Sequence, residues 1–115
     1  MKYLLLIYNN EAAAQAASKA ETDQIVAAYG AYTEAVTRAG ILAGSNRLQR
    51  STAATTVRVA NGKTQVLDGP YAETKEQLAG YYMIDVPDLD AALSWAARCS
   101  GASHGVVEVR PIWVM

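Results

Sequence analysis

The sequence predicts an α+β domain with an antiparallel sheet. Three observations carry this. Apolar residues recur with strand and helix periods in the order strand, helix, strand, hairpin, strand, helix, strand; capping signals open both long helices; and an Asn-Gly pair marks a hairpin between them. At 115 residues the chain reads as a single domain over residues 1–115, able to bury roughly two-thirds of its unfolded surface. Hydrophobic residues make up 51% and charged residues 18%, the balance of a packed core and not of a disordered chain.

Tyr3 to Tyr8 is a strand that is apolar on both faces, with Tyr3, Leu5 and Ile7 on one and Leu4, Leu6 and Tyr8 on the other. Such a strand is central and covered from both sides. Asn9 to Ala17 is read as a polar, alanine-rich connection with room for a helical turn. Ser18-Lys19-Ala20-Glu21 then fits a capping box. The helix after it places Ile25, Tyr29, Tyr32, Val36 and Ala39 on one stripe, with Gly40 as its stop. Ile41-Leu42-Ala43 begins the next strand, and residues 44–47 continue it irregularly.

Ala54 to Ala60 alternates, Val57 and Val59 facing one way and Thr56 and Arg58 the other. Asn61-Gly62 predicts a type I′ turn into a return strand over Lys63 to Leu67. Asp68-Gly69-Pro70-Tyr71 stops that strand. Pro70 is expected to hold Gly69 extended, and the Asp68 carboxylate to bond amides just downstream. Gly80 to Val86 is again apolar on both faces. Asp88 caps a second helix that carries Ala92, Trp95, Ala96 and Cys99 on one stripe and ends at Gly101. Gly105 to Val114 is the last strand, weakened near its end by Pro111.

This order is ferredoxin-like with one extra strand element, two helices covering one face of the sheet. The strands that are apolar on both faces require a cover for the second face as well. A partner subunit is the simplest one, so a homodimer packed sheet to sheet is expected, with a cleft lined by Arg58, Glu108 and Arg110.

Composition excludes several functions. A net charge of −1 offers no general attraction to nucleic acid or to anionic membrane. The single Cys99 and single His104 cannot build a thiolate cluster, a zinc site or a Cys–His nucleophile, and no metal or cofactor is expected. No dinucleotide fingerprint, phosphate-binding glycine loop or nucleophile elbow is present. The apolar run at Met1 to Tyr8 is too short for a signal peptide, and no stretch is long enough to span a bilayer. A cytoplasmic protein is expected.

Polar chemistry concentrates between Asp68 and Gln77. Asp68 is either a turn residue or, if desolvated beside Tyr71, a general base. Glu73, Lys75 and Glu76 form a charged turn of the solvated kind. Glu108 and Arg110 share a strand face, as a structural ion pair or with Arg110 as anchor for a carboxylate or phenolate; Arg47 and Arg58 can share that task. His104 is read as an exposed loop residue.

Several stretches resemble a known family: MKYLLLIY, AYGAYTEAVTRAGIL, the run from TVRVANGKTQVLDGPYAETKEQ through to ALSWAAR, and VEVRPI. Together they look like the DGPF-domain branch of the YCII-related (YciI-like) family. Asp68-Gly69-Pro70-Tyr71-Ala72-Glu73-Thr74-Lys75-Glu76 is the most specific part, with Tyr71 where the family usually has phenylalanine. The resemblance implies a dimeric α+β barrel. It also implies a cleft to which Lys75 or Glu76 can reach. YciI-type members carry a His–Asp pair there, and by spacing from Ala39-Gly40 the histidine's place falls near Tyr29. A further implication is a link to extracytoplasmic-function sigma factors.

Two functions are therefore expected. One is a small-molecule-binding protein or cofactor-independent enzyme for proton transfer, elimination or isomerisation, using Asp68 and Tyr29 with Tyr71, Lys75, Arg58 and Arg110 as ligand contacts. The other is a non-catalytic dimeric accessory protein acting through a partner such as a sigma factor.

Overall fold

In the computed structural model, which covers residues 1–115, the first strand β1 (Lys2–Asn9) buries Tyr3, Leu5 and Ile7 on one face. Its other face, Leu4, Leu6 and Tyr8, stays half-buried. β1 is an inner strand of an open antiparallel sheet ordered β2-β5-β1-β6, with β2 at Leu42–Arg47, β5 at Gln77–Asp85 and β6 at Val106–Pro111. The two strands that read as apolar on both faces, β1 and β5, are the two inner ones. Leu5 sits opposite both Tyr82 and Val109, so one layer of apolar side chains runs across three strands.

Four helices accompany the sheet. In the longest, α2 (Lys19–Arg38), the Ser18 hydroxyl accepts the Glu21 backbone N–H at 3.1 Å. The Glu21 carboxylate returns to the Ser18 hydroxyl rather than to its N–H, so half of the capping box forms. α2 buries Tyr32 and Val36, and α3 (Leu89–Arg98), capped by the Asp88 carboxylate on the Ala91 N–H, buries Ala92 and Ala96. These side chains close one core with Tyr3, Leu5, Ile7, Tyr82, Ile84, Val86 and Cys99. Leu5, Ile84 and Val36 are wholly inaccessible, each contributing about 1.5–3 kcal/mol of burial.

The structure revises four boundaries. Residues 9–17 hold a helix of their own, α1 (Glu11–Ala16), because the Asn10 side chain caps the Ala13 N–H at 2.9 Å. β5 starts at Gln77 and not at Gly80, a register shift between Ile7 and Tyr8 carrying the pairing past the glycine. α3 ends at Arg98, before Gly101, which instead opens the short α4 (Gly101–His104). That glycine serves close approach: a Cβ there would lie 2.6 Å from the Tyr29 hydroxyl and 2.9 Å from Ile7. His104 is thus exposed at the end of a helical turn and not in a loop. β6 stops at Pro111, short of Val114; one more bond, Ile112 N–H to the Lys2 carbonyl at 2.9 Å, follows before Trp113 stands free.

β3 (Thr55–Ala60) and β4 (Lys63–Asp68) form a separate two-stranded sheet. Asn61 and Gly62 take φ of 52° and 75°, the positive pair that a type I′ turn requires. Val57 lies opposite Val66 and Arg58 opposite Gln65. One face therefore carries Val57, Val59 and Val66, and the other Thr56, Arg58, Gln65 and Leu67. The Cα extents are 47 × 44 × 18 Å. The middle of the second sheet face, Leu4, Leu6, Tyr81 and Met83, is half-buried, and residues 48–54 with Pro70 and Tyr71 stand beside its Tyr8–Leu78 end.

Candidate functional site

The corner after β4 is closed by the backbone. The Gly69 N–H donates to the Ala54 carbonyl at 2.7 Å, and the Thr56 hydroxyl donates to the Gly69 carbonyl at 2.8 Å. Gly69 has a φ of 103°, not the extended conformation expected ahead of Pro70. Lacking Cβ, glycine reaches this region at little cost, and the two hydrogen bonds select it. The Asp68 carboxylate makes no hydrogen bond, so it does not form the expected turn with downstream amides. Asp68 is an exposed residue that borders a groove.

That groove, about 330 Å³, is walled by Thr56, Arg58, Gln65, Leu67, Asp68, Pro70 and Tyr71. Thr56, Arg58, Gln65 and Leu67 belong to one hairpin face, which is why the strand period brings them together. The Arg58 guanidinium stands 5.7 Å from the centre of the Tyr71 ring, a cation–π contact at an exposed position. Neither Arg58 nor Asp68 is in an ion pair; the salt bridges are Met1–Asp85, Arg38–Glu34 and Arg110–Glu108.

Pro70 and Tyr71 also border a wider groove of about 670 Å³ on their other side. Tyr8, Leu78 and Gln77 from the inner strands form its floor, and residues 48–54 its wall. Glu11 fixes that wall. Its carboxylate accepts the Ser51 N–H and hydroxyl, both at 2.7 Å, at the start of the 3-10 turn Ser51–Ala53. Its own N–H is held by the Gln77 side chain at 3.1 Å. Tyr8, Arg50 and Gln77 were not legible as site residues. The only signal in the sequence was that Tyr8 lies on the strand face opposite the core.

The remaining named residues lie elsewhere. Lys75 is exposed in the connection before β5 and lines neither groove. Arg110 pairs with Glu108 at 2.5 Å on β6, whose register places both on the second sheet face, beside Leu4 and Leu6. Arg58, Glu108 and Arg110 thus do not share a cleft within one chain. Tyr29 is on the core side, packed against the main cluster. Burial pushes its phenol up to about 12, with Cys99 and Tyr82 adding to the shift, so near neutrality it is a proton-holding hydroxyl. The Cys99 thiol is buried and likewise pushed up, which makes it a core group and not a nucleophile. No group of three or more His, Cys, Asp and Glu residues is arranged to hold a metal ion. No helix is long and apolar enough to cross a membrane.

The second sheet face is itself a feature. The strand pairs Leu4–Met83 and Leu6–Tyr81, bordered by Asn46 and by Glu108 and Arg110, form an apolar floor with polar edges. The Asn46 amide donates to the Tyr81 hydroxyl at 2.8 Å. None of these four apolar residues belongs to the helix-side core.

Comparison with known proteins is consistent in extent. The YCII-related domain family matches residues 1–115. An uncharacterised protein of Rhizobium meliloti (strain 1021) is 45% identical over 114 residues, spanning 97% of this chain and 92% of its own. A family match over the whole chain, together with a relative of that identity and coverage, shows that this chain belongs to the YCII-related family.

Proposed function

We propose that this chain is the subunit of a homodimeric small-molecule-binding protein of the DGPF-domain branch, and that its ligand lies at the Asp68–Tyr71 corner. The subunit is ferredoxin-like in this reading, supported by the strand order β2-β5-β1-β6, and two subunits form an α+β barrel with their open faces together. Surface area supports the assembly. The chain exposes 8117 Å², whereas a folded monomer of its 12.3 kDa exposes about 6,100 Å². Its radius of gyration is 16.0 Å, against about 13 Å for a compact domain of this length.

The observation that carries ligand binding is the unpaired state of Arg58 and Asp68 in one groove, beside the Tyr71 ring. A guanidinium without a carboxylate suits a small carboxylate or phenolate, with Tyr71 as an aromatic lid. Of the two residues considered for proton transfer, Asp68 lines the groove and Tyr29 does not. Any proton transfer, elimination or isomerisation on the ligand therefore falls to Asp68.

A thermal-shift screen of small carboxylates and phenols tests this. A ligand at a hundredfold excess over its dissociation constant adds about 2.7 kcal/mol, a rise of roughly 10 °C for a chain of this size. Arg58→Ala should weaken binding at least about tenfold, the loss of one charge-assisted contact. Asp68→Asn should keep the dimer and abolish any turnover. Failure of every compound to stabilise the protein, or equal binding by Arg58→Ala, would remove the reading.

A further inference from the structure

The β3–β4 hairpin is poorly supported by its own chain. Val57, Val59 and Val66 are 60–65% exposed, and every residue of β4 is exposed. A lone two-stranded hairpin is marginal in water, and three adjacent exposed valines form a stripe that folded monomers normally cover. We propose that the hairpin is an arm whose valine face packs on a second copy of this chain. The proposal rests on the homodimer reading and specifies which part of the chain reaches across.

Area points to a second copy as the occupant. The chain exposes about 2,000 Å² more than a monomer of its mass should. The open face of four strands is about 20 Å across and about 20–30 Å along its strands, from strand spacing and rise, and so projects roughly 400–600 Å². Covering that face accounts for part of the excess, and the exposed hairpin for another part. An excess near 2,000 Å² per chain is of the size that obligate dimers bury, and the valine face of the arm is a contiguous apolar stripe outside the core.

The arm has two faces with different work. Docking through Val57, Val59 and Val66 leaves Thr56, Arg58, Gln65 and Leu67 free on the other side, where they wall the Asp68–Tyr71 groove. The groove is then held in shape only in the dimer, because the strands that build it are anchored by the partner. Ligand affinity and dimerisation are coupled, each strengthening the other.

The valine face can be changed without touching the core of one chain. In Val57→Asp/Val59→Asp, the dimer dissociation constant measured by sedimentation should rise at least about 100-fold, as expected for two charges placed in a buried apolar contact. Val57→Thr/Val59→Thr keeps strand propensity and should weaken the dimer by about tenfold. Hydrogen exchange should show hairpin amides protected in the wild-type dimer and open in the aspartate variant, while β1 and β5 stay protected in both. A wild-type dimer whose tightness neither variant changes, or whose hairpin amides exchange freely, overturns the arm and leaves the homodimer standing. A wild-type monomer at tens of micromolar overturns the homodimer reading itself.

Discussion

Two buried tyrosine hydroxyls should differ sharply in what they contribute to stability. The Tyr32 hydroxyl donates to the Trp95 carbonyl at 2.7 Å and so joins α2 to α3. That carbonyl has lost its helical partner: the Cys99 N–H, four residues on, bonds the Ala96 carbonyl at 3.1 Å instead. In Tyr32→Phe the ring stays, 5.1 Å from Tyr82 and 6.4 Å from Trp95 and edge-on to both, so little apolar packing is lost. The cost is one hydrogen bond plus a carbonyl left unsatisfied beside a buried ring, about 2 kcal/mol. Tyr82 is different. Its hydroxyl meets the Thr33 hydroxyl at 2.7 Å, and Thr33 already donates to the Tyr29 carbonyl at 2.9 Å. Tyr82 is therefore the donor, and Tyr82→Phe leaves Thr33 still bonded, at a cost of about 1 kcal/mol or less. Urea unfolding at fixed protein concentration measures both. Tyr32→Phe should lower the midpoint by about 1–2 M with the slope unchanged, and Tyr82→Phe by less than half of that. A Tyr82→Phe loss equal to or larger than that of Tyr32→Phe would refute the claim that the end of α3 relies on a side chain from α2.

Two further outcomes follow from the same packing. Gly105→Ala would place a Cβ 2.1 Å from the Tyr8 carbonyl oxygen and 3.2 Å from the Asn9 Cα; because both neighbours are strand backbone, a loss of about 3 kcal/mol is expected. Gly30→Ala, in mid-helix with nothing within 4 Å, should gain about 0.5–1 kcal/mol in the same urea assay. Alkaline stability should also report the core. The Tyr29 phenol is raised to about 12 by burial, and Tyr32 is raised further for the same reason. Below pH of about 10 both are protonated, folded or unfolded, and their contribution is intact. Above it the unfolded chain ionises first, so stability falls by about 1.4 kcal/mol per pH unit for each shifted tyrosine as pH approaches the folded value. Tyr29→Phe should flatten that fall between pH 10 and 12, followed by tyrosinate absorbance alongside unfolding.

Much of the local structure was legible because it is set by short-range chemistry. Ser18 and Asp88 announce helix starts because only a side-chain oxygen at that point satisfies the first free N–H groups. Asn61-Gly62 announces the hairpin because few other pairs adopt two positive φ values cheaply. The inner position of β1 and β5 followed from their apolar character on both faces. The misreadings have physical causes too. Gly101 looked like a helix stop, but its lack of a side chain answers to Tyr29 and Ile7, residues remote in sequence.

What the sequence determined by itself is therefore the α+β class, the order of its main elements and the sharp stop of β4 at Asp68-Gly69-Pro70-Tyr71. These depend on periods and turns within a few residues. Only the tertiary structure decided that Arg58 and Tyr71 meet Asp68 in one groove, that Tyr8 and Arg50 border the next, and that Arg110 and Tyr29 are turned to other faces. Those meetings depend on strand register and on Glu11 pinning Ser51, interactions between residues far apart in the chain. Periodicity tells which way a side chain faces, and only long-range packing tells what it faces.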